Sequence, residues 1–154
     1  MLLLVAAQPT IQDRPAIADT VQQGANSMRE VRALIVDDSS VMRKIVERSL
    51  RQAGLECLVV HEAGSGTEGL VILQSKEIDL ILSDINMPSM DGLQFLAEIQ
   101  SRNLAPGVPV VMITTESSEE HVKQAIRSGA RGYIRKPFTA EQIKERVLPL
   151  VRGA

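Results

Sequence analysis

From Arg32 onward, short apolar runs alternate with longer stretches whose apolar residues recur at helical spacing. The runs are continuously apolar rather than alternating with polar residues, which is typical of strands covered on both faces. Strand followed by helix, repeated to the end of the chain, predicts an α/β fold with a doubly wound, five-stranded parallel sheet and helices on both faces. The predicted strands are residues 33–37, 57–63, 79–84, 108–114 and 132–136.

The stretches between these runs predict helices with one apolar face. The three clearest faces are Met42, Ile45, Val46, Ser49, Leu50 and Ala53; then Leu93, Leu96 and Ile99; then Val122, Ala125 and Ile126. Residues 117–120 and 139–142 predict capping boxes at two helix starts. Pro149 is expected to kink or end the last helix. Over residues 64–73, three glycines disfavour a helix and the apolar residues are consecutive, so the pattern does not separate helix from strand.

Composition narrows the class of protein further. The 154 residues suffice for one domain with a core, and because aromatics are 2% of the chain that core must be aliphatic. A net charge of -2 gives no basis for nucleic-acid binding. The single cysteine, Cys57, excludes an internal disulfide and is predicted to be a buried, inert thiol.

The first residues read as an extension rather than as part of the domain. The apolar segment Met1–Ala7 is too short to span a bilayer and lacks the basic start of a secretory signal. Residues 1–30 are therefore predicted to be a disordered extension, and residues 31–152 the domain. We expect a cytoplasmic protein without a membrane partner.

Polar side chains end four of the five predicted strands. Asp37 and Asp38 end the first, Asp84 the third, Thr114 the fourth and Lys136 the fifth. Each alone has an ordinary explanation, such as a helix cap, a strand end or a solvated loop residue. Because the carboxyl ends of parallel strands meet at one edge of a sheet, these side chains are expected to converge.

Three carboxylates at one edge repel one another, so such clusters usually hold a hard cation. Oxygen ligands without a cysteine or histidine cluster favour Mg²⁺, with Mn²⁺ as an alternative. The backbone carbonyl of Asn86 lies within plausible reach of the same ion. A phosphoryl group would complete the site, stabilised by Lys136 and Thr114, and Asp84 is the candidate nucleophile for an aspartyl-phosphate.

Four segments together carry a resemblance to a known family: "VDDSS" (36–40), "SDINMPSMDG" (83–92), "ITTE" (113–116) and "GYIRKPF" (132–138). They resemble the response-regulator receiver family of bacterial two-component signalling. The resemblance runs from about Arg32 to Val151 and is closest to the family's stand-alone chemotaxis regulators. It implies a flavodoxin-like sheet of strand order 2-1-3-4-5, which is one of the two common strand orders of doubly wound folds.

The resemblance also implies a role for each residue of the predicted site. Asp84 corresponds to the phosphoacceptor, while Asp38, Asp84 and the carbonyl of Asn86 correspond to the Mg²⁺ ligands, with Asp37 acting through water. The remaining roles are Thr114 as switch hydroxyl, Lys136 as phosphate partner, Tyr133 as the aromatic that changes rotamer, and Pro137 as the second residue of a cis bond.

The implied function is a phosphorylation switch rather than an enzyme, because the chain would catalyse only its own phosphotransfer and dephosphorylation. The donor would be a sensor histidine kinase. The output would be a protein bound by the face of the fourth helix, fifth strand and last helix, with the flagellar motor switch as first candidate. We expect a monomer that binds no nucleic acid.

Three other functions are weighed against this one. A phosphorelay shuttle or phosphate sink would use the same chemistry with a different output. A flavodoxin-like FMN carrier is disfavoured because "DDSS" places two negative charges where a phosphate loop would lie. A Mg²⁺-dependent phosphatase would need an acid/base aspartate two residues after its nucleophile, and Asn86 occupies that position.

Overall fold

A computed structural model describes residues 30–115 and 118–152 of the chain. Val31–Ala154 form one compact unit. Its strands are β1 Val31–Val36, β2 Leu58–Ala63, β3 Leu80–Ser83, β4 Val110–Thr114 and β5 Gly132–Arg135. Its helices are α1 Ser40–Gln52, α2 Gly66–Ser75, α3 Gly92–Ser101, α4 Glu119–Arg127 and α5 Ala140–Arg152.

The sheet confirms the predicted fold class. Its five strands are all parallel and lie in the order β2-β1-β3-β4-β5. The strand order reverses beside β1, so β3 lies at the centre of the sheet. Val36 at the end of β1 pairs with Ala63 of β2 and with Ser83 of β3, so the residues that follow these strands lie at one edge.

Helices cover both faces of the sheet, which explains the continuous apolar strands. Neighbouring β1 residues divide between the two faces: Leu34 and Val36 belong to one hydrophobic cluster, and Ala33 and Ile35 to the other. The first cluster takes its helical residues from α2, α3 and α4, and the second from α1 and α5. The inner strands β3 and β4 are therefore buried throughout, whereas the edge strands β2 and β5 keep partly exposed residues.

Residues 66–75 form a helix despite their glycines, and the contacts of those glycines explain why. A Cβ on Gly69 would lie 2.9 Å from two ring carbons of Phe95, and one on Gly66 would lie 2.7 Å from the Sδ of Met90. The missing side chains let α2 approach α3 closely. The packing gained there offsets the low helix propensity of glycine.

The helix ends agree with the predictions in part. The predicted box at residues 139–142 is confirmed, because Thr139 Oγ1 accepts from the Gln142 amide and Gln142 Oε1 accepts from the Thr139 amide. Helix α4 instead begins after Ser118, whose hydroxyl accepts from the His121 amide. Ser117, the predicted cap, lies outside the described residues.

Pro149 does not end the last helix, which runs through it to Arg152. The proline removes one main-chain hydrogen bond only a few residues from the end of α5. Pro149 and Glu145, one turn earlier, are both exposed, so water can reach the carbonyl that loses its donor. Of the two alternatives predicted for Pro149, a kink or an end of the helix, the second was wrong for this reason.

Two residues of the predicted apolar helix faces are exposed, and the predicted burial of Cys57 was wrong. Ile45 and Ile126 are 42% and 50% exposed, because the buried residues of their helices, Val46 and Ala125, face the sheet from a neighbouring position. Cys57 is exposed. Its carbonyl accepts a hydrogen bond from the Val31 amide at 2.8 Å, but it precedes β2 at the edge of the sheet, where no further strand covers it.

Within residues 30–115 and 118–152, no helix has both the length and the apolar character required to cross a membrane. The predicted extension at residues 1–30 lies, apart from Glu30, outside the described residues.

Candidate functional site

The carboxyl ends of β1 and β3 bring three carboxylates together. The Asp37 amide donates to the Ala63 carbonyl at 3.1 Å, and the Asp84 amide donates to the Val36 carbonyl at 3.0 Å, so both residues continue the sheet by one step. One ligand atom from each of Asp37, Asp38 and Asp84 lies within 4.8 Å of the others. Asp37 and Asp84 are buried, whereas Asp38 is exposed and faces solvent at the mouth of the site.

Lys136, from the segment that follows β5, joins two of these carboxylates. Its Nζ donates to Asp37 Oδ2 at 2.8 Å and to Asp84 Oδ2 at 3.1 Å, and only 10% of the side chain is exposed. Burial by itself would lower the pKa of Lys136, but the hydrogen bond to Asp37 and the negative charges of Asp84 and Asp37 outweigh it, so that pKa is raised. The ammonium therefore stays charged and compensates part of the carboxylate repulsion.

The Asp84 carboxylate is held at both oxygens. Oδ2 binds Lys136, and Oδ1 accepts from the amides of Ile85 at 2.7 Å and Asn86 at 3.3 Å. These bonds fix the carboxylate at the centre of the sheet while its neighbour Asn86 remains exposed. An orientation fixed in advance is favourable for a group that must react in one direction.

Gly92, the first residue of α3, holds the backbone behind Asp84. Its amide donates to the Ile85 carbonyl at 2.7 Å. A Cβ at this position would lie 2.1 Å from the Asp84 carbonyl oxygen, a backbone atom that cannot turn away. The Asp91 N-cap and its capping box with Gln94 fix the start of α3 beside it. Only glycine lets α3 start this close to the strand.

The remaining predicted site residues surround this centre. Thr114 is the last residue of β4 and is fully buried, and its carbonyl accepts from the Lys136 amide at 2.9 Å. Tyr133, on β5 opposite Met112, is half-buried and packs against the cluster on the α2, α3 and α4 face. Pro137 is exposed, and the Lys136–Pro137 bond is cis, as the resemblance implied.

The residues present suit a hard divalent cation. The donors are carboxylate oxygens, which Mg²⁺ and Mn²⁺ prefer, and against three carboxylates the cluster contains one lysine. Asp38 is exposed, so an ion can reach the cluster from solvent. The acidic cluster is thus suited to an ion together with an anionic group.

Two polar residues at this edge were missed by the sequence reasoning. Arg43 on α1 donates from Nη1 to the Asp37 carbonyl at 2.6 Å and from Nε to Glu62 Oε1 at 2.8 Å. Ser39 caps α1, and its amide also donates to Asp37 Oδ1 at 2.9 Å. The only signal in the sequence was the position of Arg43, the fourth residue of the helix that follows Asp37 and Asp38.

Fold and site together define a class: a doubly wound α/β protein whose central strand ends in an aspartate, beside an acidic pair and a bridging lysine. Residues 33–148 match the family model described as the response regulator receiver domain. The chain belongs to the response regulator receiver family, as the four sequence segments predicted.

Named relatives place the chain near one branch of that family. It is 39% identical to the chemotaxis protein CheY-3 of Vibrio cholerae over 119 residues, which cover 77% of this chain and 90% of that protein. It is 37% identical to the chemotaxis protein CheY of Pseudomonas aeruginosa over 117 residues, covering 76% and 93%. The structure of Vibrio cholerae CheY4 superposes with a TM-score of 0.71 at 33% identity, covering 79% of this chain and 99% of that one.

Proposed function

We propose that this protein is a phosphorylation-dependent signalling switch in which Asp84 accepts a phosphoryl group from a histidine kinase. The observation that carries the proposal is the convergence of Asp84 with Lys136 and the acidic pair at one edge of the sheet. Family membership supports the class of reaction, and the geometry supports the choice of Asp84. Its carboxylate is the one that ends the central strand.

The reaction moves one phosphoryl group between two side chains. An Asp84 carboxylate oxygen attacks the phosphorus of a phosphohistidine, an O–P bond forms, and the N–P bond to the departing imidazole breaks. Lys136 already lies 3.1 Å from Asp84 Oδ2, so its ammonium can pair with a phosphoryl oxygen without a long movement. The backbone amides at Asp84 Oδ1 keep the carboxylate oriented during the attack.

A bound Mg²⁺ would supply charge neutralisation for the phosphoryl oxygens. We assign it to Asp38, Asp84 and the carbonyl of Asn86, with Asp37 binding through water. The exposed Asp38 and Asn86 leave room for a phosphoryl donor to approach from solvent. Mn²⁺ would serve in the same place.

Output would depend on Thr114 and Tyr133. The Thr114 hydroxyl would hydrogen-bond a phosphoryl oxygen and draw its segment inward, which opens space for the half-buried Tyr133 ring on the neighbouring strand. That change would alter the face made by α4, β5 and α5. The conformational equilibrium shifts only by the difference in affinity between its two states, typically about 1–3 kcal/mol in such couplings.

The relatives named as chemotaxis proteins support a chemotaxis role. We propose a flagellar motor component as the bound target. We further propose that the protein acts in the cytoplasm as a monomer and that residues 31–152 suffice for the reaction.

The test is phosphoryl uptake from acetyl phosphate, followed by intact mass. We expect the full chain to gain one phosphoryl group when Mg²⁺ is present and none when it is chelated. Asp84→Asn should gain none, because the amide is not a nucleophile for this reaction. The matched control is Asp91→Asn, which changes an aspartate in the same loop that caps α3 and lies outside the cluster. Equal labelling of Asp84→Asn and the parent would refute the assignment.

A further inference from the structure

Arg43 links an exposed edge strand to the acidic site through one side chain. Its Nε donates to Glu62 Oε1 on β2, and its Nη1 donates to the main-chain carbonyl of Asp37. The second distance is 2.6 Å, and its donor is a charged guanidinium. Helix, edge strand and site are thus joined by two hydrogen bonds from a single guanidinium.

The Asp37 carbonyl belongs to the peptide group that joins the two neighbouring aspartates. The β1–β2 ladder ends at Val36 and Ala63, and just beyond it the Asp37 amide still donates to the Ala63 carbonyl at 3.1 Å. Arg43 therefore supplies a donor to Asp37 just beyond the sheet. The orientation of this peptide plane sets the direction in which the following residue, Asp38, leaves the strand.

Asp38 depends on this restraint more than its neighbours do. Asp37 is buried and is fixed at its carboxylate by Lys136 and the Ser39 amide. Asp84 is buried and held at both oxygens. Asp38 is exposed, so the surrounding core does not fix its position.

Lys44 is the comparison for Arg43, because it binds the same glutamate from the surface of the protein. Lys44 also binds Glu62, at 2.8 Å, but its side chain is 66% exposed and makes no bond to Asp37. The Arg43 side chain is only 17% exposed and lies between Glu62 and the backbone of the site. The two neighbours share one carboxylate, and only one of them reaches the site.

We infer that Arg43, held by Glu62, is a positioning residue that orients the Asp37–Asp38 peptide and thereby presents Asp38 to the metal ion. The inference rests on the proposed function, because it assigns to Asp38 the role of a Mg²⁺ ligand. It extends that function to two residues outside the acidic cluster. Losing a residue that orients a metal ligand typically weakens metal affinity about 10- to 100-fold.

The experiment measures Mg²⁺ affinity of the full chain by NMR titration with Mg²⁺ alone. We expect Arg43→Ala to weaken binding about 10-fold. Glu62→Gln should weaken it less, about threefold, because Arg43 keeps its bond to Asp37 but loses its anchor. Lys44→Ala and Arg48→Ala, on the same helix, should stay within about twofold of the parent. Arg43→Lys, which keeps the charge but cannot make both bonds, should fall between Arg43→Ala and the parent.

A second readout needs no metal. The Asp38 amide shares its peptide group with the Asp37 carbonyl, so in the metal-free protein its nitrogen shift should change in Arg43→Ala and not in Lys44→Ala. If Arg43→Ala keeps the parent Mg²⁺ affinity and the parent Asp38 shift, the inference is overturned while the proposed function stands. If the parent itself neither binds Mg²⁺ nor accepts phosphate, both are overturned. Should Arg43→Ala fail to fold, Arg43→Lys and Glu62→Gln decide by the same measurements.

Discussion

The two faces of the sheet are covered by helices that pack in different ways. On one face, α1 and α5 contain no glycine and contribute aliphatic side chains such as Val46, Leu50 and Ile143. On the other face, α2 places Gly69 against the fully buried ring of Phe95 on α3, and Gly92 at the start of α3 lies against the Asp84 backbone. On the first face, large aliphatic side chains fill the space between helices and sheet. On the second face, close packing depends on glycines that have no side chain at the points of contact.

This difference decides how each face affects the site. On the glycine face the connection is steric, because Gly92 lies against the Asp84 backbone. On the aliphatic face it is polar, because Arg43 of α1 binds the Asp37 carbonyl. A change of packing on the glycine face should therefore move Asp84, the proposed phosphoacceptor. A change on the aliphatic face should affect the site only through hydrogen bonds to Asp37.

The largest effect is expected for Gly92→Ala. The added methyl meets a backbone oxygen, so the start of α3 must shift, and we expect a loss of about 3 kcal/mol in the free energy of unfolding. Slower phosphoryl uptake should accompany it. Urea denaturation and intact mass measure the two effects. Gly64→Ala is the matched control, since its nearest atoms would be 3.6 Å away, an ordinary contact. If Gly92→Ala and Gly64→Ala were equally stable, the steric contact at Gly92 would be unimportant, and the proposed difference between the two faces would be wrong.

Most of the fold and much of the site arrangement could be predicted, because both depend on local patterns. Continuous apolar runs mark buried strands, and the residues that end them must share an edge if the sheet is parallel. The helix at α2 could not be predicted, since the effect of Gly69 depends on Phe95, which lies on a different helix. The exposure of Cys57 and the hydrogen bonds of Arg43 depend likewise on which other element lies next to each residue in the fold. A single sequence does not contain that information.

A smaller loss, about 1 kcal/mol, is expected for Gly69→Ala. Overpacking against Phe95 costs about 1–3 kcal/mol, and the better helix propensity of alanine returns up to about 1 kcal/mol. A double-mutant cycle with Phe95→Leu tests the cause, because a smaller, flexible partner should relieve the clash. Strictly additive effects in the cycle would mean that Gly69 is needed for another reason.

On the aliphatic face, Pro149→Ala should raise stability, by about 1 kcal/mol. Alanine restores a main-chain hydrogen bond and is a far better helix former than proline. In the interior of a helix, this replacement is worth about 3 kcal/mol in helix stability. The gain is reduced because the site lies near the helix end and because proline also restricts the unfolded chain. Thermal melting of the full chain measures the change. A lower melting temperature would indicate that the exposed proline makes a stabilising contact.

The smallest expected effect is the pH dependence of Glu62. Hydrogen bonds from Lys44 and Arg43 lower the pKa of Glu62 below its ordinary value of 4.5. Its stabilisation is therefore present above pH 4.5 and is lost as the pH falls through the lowered pKa. We expect Glu62→Gln to be less stable than the parent by about 0.5 kcal/mol at pH 7 and equal to it in strong acid. Urea denaturation at pH 7 and in strong acid measures the difference in stability between the two proteins. A difference that persists in acid would mean that Glu62→Gln destabilises through lost packing rather than through lost charge.

The ion pair between Lys136 and Asp37 joins residues that are 99 positions apart in the chain. Lys136 therefore leaves the ribosome 99 residues after Asp37. Domains fold as units once their chain is available, so a nascent protein has its acidic residues but not the lysine that joins them. A nascent chain that has not yet reached Lys136 would therefore lack the cation that bridges Asp37 and Asp84.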